Sequence, residues 1–221
     1  KQDLNTTPLY HLPIKIDIYE NGKVTRHSVT IDSLEQTIKI KTKSKPDLVN
    51  VDAEKMLLCI KNDFKTKEEW LYQYENAPLY LDKVESINEL VKFTTDSTCM
   101  LAISKGLDDP FKEIRLQCMD LINEIKDGTE INIKEKLFEM AKNDNSSDVR
   151  ATAIGWITDL YIADTDTIQK DKTLSDLFSK TMEDPSFMVQ GESLLALGLV
   201  APEKAMKKVH EYNNDTKEKL T

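Results

Sequence analysis

The sequence predicts a multidomain α+β chain: a partial antiparallel β-sandwich over residues 1–65, then an all-α array of stacked helical hairpins over residues 66–221. Three observations predict it. Apolar and polar residues alternate from Leu12 to Ile18 and are followed by Asn21-Gly22, a strand and hairpin signature. The period changes at Thr66-Lys67-Glu68-Glu69, a capping box that opens a helical pattern. Downstream, a ten-residue layout recurs at intervals that fit two-helix repeats.

The recurring layout starts at Asp109, Asp144 and Asp184. Pro or Asn follows the Asp. A β-branched residue stands sixth (Ile114, Val149, Val189), Arg or Gln seventh (Arg115, Arg150, Gln190), and a small residue tenth (Cys118, Ala153, Ser193). The seventh places are 35 and 40 residues apart, and Lys83-Val84-Glu85-Ser86 is a fainter copy upstream. The Asp is expected to cap a helix, with Pro tolerated in its first turn. The small residue lets the next helix approach. Arg115 and Arg150 are expected to bond carbonyls or carboxylates of neighbouring repeats rather than a substrate. One hairpin cannot bury its own apolar face, so neighbours must stack. The layout resembles the HEAT repeat, which implies a superhelical α-solenoid.

Five short strands are expected before residue 62: 12–18, 24–31, a lysine-faced strand around Ile38 and Ile40, 46–52, and 56–60, with a polar turn at Asp52-Ala53-Glu54-Lys55. The lysine face reads as a solvated edge protected from aggregation. Five strands are few for an independent domain. The first residues read as the tail of a strand, so part of a sandwich is expected upstream of Lys1. Helices are expected at 66–77, 81–93, 96–105, 110–125, 131–143, 147–162, 172–183, 186–199 and 202–212. Pro78 ends the first and Gly106 the third, and fraying is expected from Asn213 onward.

The chain carries a net charge of −9. Residues 1–45 carry eight basic and five acidic groups, and the remainder 22 and 34. An acidic array is a poor binder of nucleic-acid phosphates. No apolar run reaches the roughly 18 residues of a membrane span. Cys59, Cys99 and Cys118 all sit in apolar patterns and read as buried thiols, without metal-ligand spacing. The compartment, cytoplasmic or periplasmic, is left open.

The search for chemistry is mostly negative. His11, His27 and His210 lack zinc-ligand spacing. His210-Glu211 begins a zincin-like pattern, but Asn214 stands where the second His belongs. Asp164-Thr165-Asp166-Thr167 hints at a calcium loop, which Gln169 and Ser175 contradict. Asn5, Asn145 and Asn214 open glycosylation-type triplets. Trp70, Tyr72, Tyr74 and Tyr80 are expected to form the seam between sheet and first hairpin, with a ligand-stacking platform as the alternative. Trp156 reads as repeat core. No catalytic, cofactor-binding or metal-ligating residue is assigned.

The segment Lys45-Pro46-Asp47-Leu48-Val49-Asn50-Val51-Asp52, continued by Ala53-Glu54-Lys55-Met56-Leu57, is followed by Ala77-Pro78-Leu79-Tyr80-Leu81-Asp82-Lys83. This order resembles the non-catalytic C-terminal half of bacterial zinc aminopeptidases of the aminopeptidase N family, in which a β-sandwich joins a HEAT-like helical domain. Lys83 stands where those proteins carry Arg. The resemblance implies an accessory region that shapes or gates the cleft where N-terminal amino acids leave peptides. The zinc and the motifs G-x-M-E-N and H-E-x-x-H belong to upstream domains, and neither motif occurs here. Its implied partners are the upstream catalytic domain of the same polypeptide and the parent enzyme's peptide substrates. The alternatives are a free-standing repeat scaffold that binds protein or peptide, and a related scaffold without zinc chemistry.

Overall fold

A computed structural model of the chain describes residues 8–128, 131–162 and 172–218. The chain is α+β, with a three-stranded antiparallel sheet followed by helices. It divides into two compact units, residues 1–102 and 103–221, and the division falls within a helix.

In the first unit, strands β1 (Leu12–Glu20) and β2 (Lys23–Ile31) form a hairpin. Asn21 and Gly22, with φ of 53° and 71°, supply the left-handed turn a two-residue loop requires. Strand β3 (Leu48–Val51) pairs with the other edge of β1, so the order is β2-β1-β3. Ile14, Ile16 and Ile18 fill one face and are 4–5% exposed. Burial of such side chains stabilises by about 1.5–3 kcal/mol each.

Two expected strands are absent among the described residues. Residues around Ile38 and Ile40 are not paired, and neither are 56–60. Ile38, Ile40 and Leu57 instead pack against the Ile14–Ile16–Ile18 cluster. Their alternation therefore records packing over a sheet face rather than a ladder of hydrogen bonds. Both edges of β1 are already occupied by β2 and β3.

The other face of β1 is also buried. Asp17 is 5% exposed and forms a bidentate pair with Arg26, both contacts 2.7 Å. Tyr19 meets Tyr72 edge-on at 5.8 Å between centroids. Tyr72 lies on α1 (Lys67–Asn76), which opens with the expected capping box and buries Trp70 and Tyr74. Ala77, extended before Pro78, ends that helix. Helix α2 (Tyr80–Leu90) follows, then a 3-10 turn and α3 (Ser97–Lys105).

The second unit contains α4 (Lys112–Met119), α5 (Ile122–Gly128), α6 (Ile133–Asn143), α7 (Ser147–Tyr161), α8 (Lys172–Thr181), α9 (Phe187–Val200) and α10 (Pro202–Glu218). The single helix expected near 110–125 is broken at Asp120–Leu121, where the Leu121 N–H bonds the Cys118 carbonyl in a tighter i→i+3 turn. The helix expected to fray from Asn213 runs to Glu218, because extending a formed helix adds a hydrogen bond per residue without a new nucleus. Helix α7 lies beside both α4 and α9, and α6, α8 and α10 pack against these helices. No helix among the described residues is long and apolar enough to cross a membrane.

Candidate functional site

The three repeat motifs build a ladder. Arg115 Nε and Nη2 donate to both carboxylate oxygens of Asp144 at 2.8 and 2.7 Å, and its Nη1 donates to the Asp109 carbonyl at 2.7 Å. One motif on, Arg150 donates to both oxygens of Asp184 at 2.7 and 2.9 Å and to the Asp144 carbonyl at 2.7 Å. Gln190 keeps the carbonyl bond, to Asp184 at 2.7 Å, and its amide oxygen accepts from the Tyr212 hydroxyl of α10 at 3.3 Å. A neutral amide thus stands in place of the Arg that would call for a further carboxylate.

The sixth and tenth places of every motif (Ile114, Val149, Val189; Cys118, Ala153, Ser193) are fully buried. The Asp residues do not occupy the N-cap position. Phe111, Ser146 and Ser186 do, and each Asp accepts the N–H two residues ahead at 2.8–3.0 Å. In Asp144 and Asp184 that same oxygen also accepts from the Arg of the preceding motif, whose Nε takes the other oxygen. Pro110 and Pro185 therefore precede their helices rather than sit in the first turn.

Burial and pairing set the electrostatics of the ladder. The hydrogen bonds from Arg150 hold the Asp184 carboxyl below its ordinary range, against the opposing effect of burial. Burial pushes the Cys118 thiol up to about 12, so it is not a nucleophile. Arg115 and Arg150 hold repeats together, and their donors are turned away from solvent.

The outward face of α7 and α9 is different. A groove of about 290 Å³ lies between them, lined by Ala151, Gly155, Trp156, Asp159, Met188 and Glu192. A Cβ on Gly155 would meet nothing within 4 Å, so the missing side chain leaves the groove open. Trp156, expected in the core, is half-buried in this wall instead. Phe187, Leu195 and Leu199 extend the apolar surface along α9, 87%, 69% and 54% exposed. Asp159 and Glu192 have no hydrogen-bond or ion-pair partner among the described residues.

A second cluster joins β3 to α2 within the first unit. Asp82 is buried and accepts from Lys55 Nζ at 2.7 Å and Asn50 Nδ2 at 2.9 Å. Glu85 accepts from Lys55 at 2.9 Å and Lys61 at 2.8 Å, and Gln73 Nε2 donates to the Asp82 carbonyl at 2.9 Å. Lys65 pairs with Asp63 and sits 4.4 Å over the Trp70 ring. Burial lowers the Lys65 ammonium more than Asp63 restores it. Burial raises the Glu85 carboxyl, but Lys61 and Lys55 outweigh it and the net shift is downward. Lys55 is likewise opposed by burial and raised on balance by Asp82 and Glu85. Three cations face three carboxylates, so the cluster is a charge-balanced knot.

Other sequence candidates stay apart. His11 and His210 are exposed, and His27 is half-buried on β2. No group of three metal-ligating side chains occurs among the described residues. Asn5, with the calcium-like run from Asp164, lies outside the described residues, and the side chain of Asn214 is likewise not described. Tyr72 meets the sheet as expected of a seam. Cys99 and Cys118 are buried, whereas Cys59 is exposed because residues 56–60 form no strand. Residue-level reading missed the groove. Its one legible signal was Gly155, four residues after Ala151 on the same helical face. No protein-family model, no curated protein and no solved structure matches the chain.

Proposed function

We propose that this chain is an accessory region of a zinc metallo-aminopeptidase, a spacer and wall that shapes the cleft in which peptides lose their N-terminal residues. Catalysis and zinc then belong to an upstream domain of the same polypeptide, and the peptides are the parent enzyme's substrates. In this reading the three strands are part of a β-sandwich and the second unit is a HEAT-like superhelix. The Arg–Asp ladder and the side-by-side α4, α7 and α9 support the superhelix.

One observation carries the reading. The two segments that resemble the peptidase family, 45–57 and 77–83, are tied together by the buried Lys55–Asp82 pair. A strand-turn segment and a helix N-terminus locked in this way make a stiff junction between sheet and helices, as a spacer needs. The apolar ridge of Met56, Leu58, Ile60 and Phe64, 73–107% exposed, also suits a surface that packs against further polypeptide.

The reading frame upstream of Lys1 tests this. It is expected to encode H-E-x-x-H and a later zinc-ligating Glu, and the product of the whole frame to retain zinc and hydrolyse aminoacyl-anilides. A frame that opens with Met next to Lys1 would leave the free-standing scaffold, which the α7–α9 groove favours.

A further inference from the structure

We infer that the groove between α7 and α9 docks a cationic polypeptide segment that inserts an apolar side chain over Trp156. The inference does not rest on the peptidase reading.

Size comes first. At about 290 Å³ the groove lies at the lower limit of small-molecule pockets and fits one or two side chains of a polypeptide. Its floor is apolar, with Ala151, Gly155 and Trp156 on α7 and Met188 on α9. The exposed Leu195 and Leu199 continue the surface along α9, so a segment rather than a single side chain has apolar area to cover.

Charge selects the partner. Asp159 stands on one wall and Glu192 on the other, both without a described partner. Glu192 is the only charged residue on α9. On α4, which packs beside α7, Glu113 is exposed and acidic, as is Asp120 just after the helix. Lys112, the nearby cation, is already paired with Asp148 at 2.6 Å. A second copy of this chain, with its net charge of −9, would bring carboxylates against carboxylates everywhere but its residues 1–45, which carry +3, and nucleic-acid phosphates would be repelled too. A segment with Lys or Arg flanking a Leu or aromatic residue meets both the apolar floor and the carboxylate walls.

The test uses the full 221-residue chain and fluorescence anisotropy of three labelled 16-residue peptides. One is an amphipathic Lys/Leu peptide, the second has Glu for every Lys, and the third has Ser for every Leu. Saturable binding is expected for the first alone. Gly155→Leu fills the groove and is expected to weaken binding at least tenfold. Asp159→Lys with Glu192→Lys is expected to weaken it at least fivefold. Asp32→Lys with Glu35→Lys, an equal charge change on the first unit, is expected to leave it within twofold. Thermal melting checks each variant, and Glu192→Lys alone, on a half-buried site, serves if another variant unfolds. Absence of saturable binding, equal binding of the Ser-for-Leu peptide, indifference to Gly155→Leu, or equal loss in the Asp32/Glu35 control each overturns the inference.

Discussion

Arg150 and Asp184 are joined by two parallel hydrogen bonds of 2.7 and 2.9 Å, and the same Asp184 oxygen that accepts from Arg150 Nη2 also accepts the Ser186 N–H. One carboxylate thus orients the start of its own helix and anchors the preceding repeat. The pair is mostly buried, with side chains 13% and 11% exposed. Planar bidentate geometry of this kind suits Arg and not Lys.

Arg150→Met leaves the Asp184 charge largely desolvated and the Asp144 carbonyl without its donor. The expected loss is about 2–4 kcal/mol in urea unfolding. Arg150→Lys, which keeps charge without the fork, is expected to lose about half as much. Equal stability of wild type and Arg150→Met would show that the ladder contributes nothing net.

The same pair sets a pH dependence. The Asp184 carboxyl titrates below its ordinary value in the folded chain. Its contribution is therefore complete above the unfolded carboxylate value near ~3.9 and is lost as pH falls through the folded value. The stability gap between wild type and Arg150→Met is expected to stay constant from about pH 7 to 5 and to narrow below about pH 4. A gap that widens on acidification contradicts the assignment.

Asp82→Asn removes the charge facing Lys55 in a fully buried position. Glu85 still accepts from Lys55 at 2.9 Å, so the ammonium keeps one carboxylate and the expected cost is about 1–3 kcal/mol. Lys55→Met combined with Asp82→Leu is expected to recover part of that loss. A double-mutant cycle with no coupling would separate the two residues energetically.

Thiol accessibility follows from burial. Cys59 is exposed, and Cys99 and Cys118 are fully buried. Titration with a thiol-reactive dye is expected to find one fast-reacting cysteine in the native chain and three in denaturant. Three fast thiols without denaturant would contradict the burial of Cys99 and Cys118.

The apolar ridge gives a surface prediction. Leu58→Ser, Ile60→Ser and Phe64→Ser together are expected to reduce dye binding and self-association. Stability should change little, within about 0.5 kcal/mol per site, because these side chains bury almost nothing within the chain. A large fall in melting temperature would place them in the core instead.

The sequence alone determined the α+β class, the Asn21-Gly22 hairpin, the Thr66 capping box and the kind of group that Arg115 and Arg150 bond, because these depend on residues close in sequence or on a pattern repeated in register. Tertiary structure decided which alternating segments became strands. Ile38-Lys39-Ile40 alternates and Met56-Leu57-Leu58-Cys59-Ile60 is a short apolar run, but Ile38, Ile40 and Leu57 pack over the Ile14–Ile16–Ile18 face instead of pairing at a sheet edge. It also decided the exposure of Cys59 and Trp156 and the opening at Gly155. Those depend on which helix or strand lies alongside, a relation between distant residues that a local pattern does not encode.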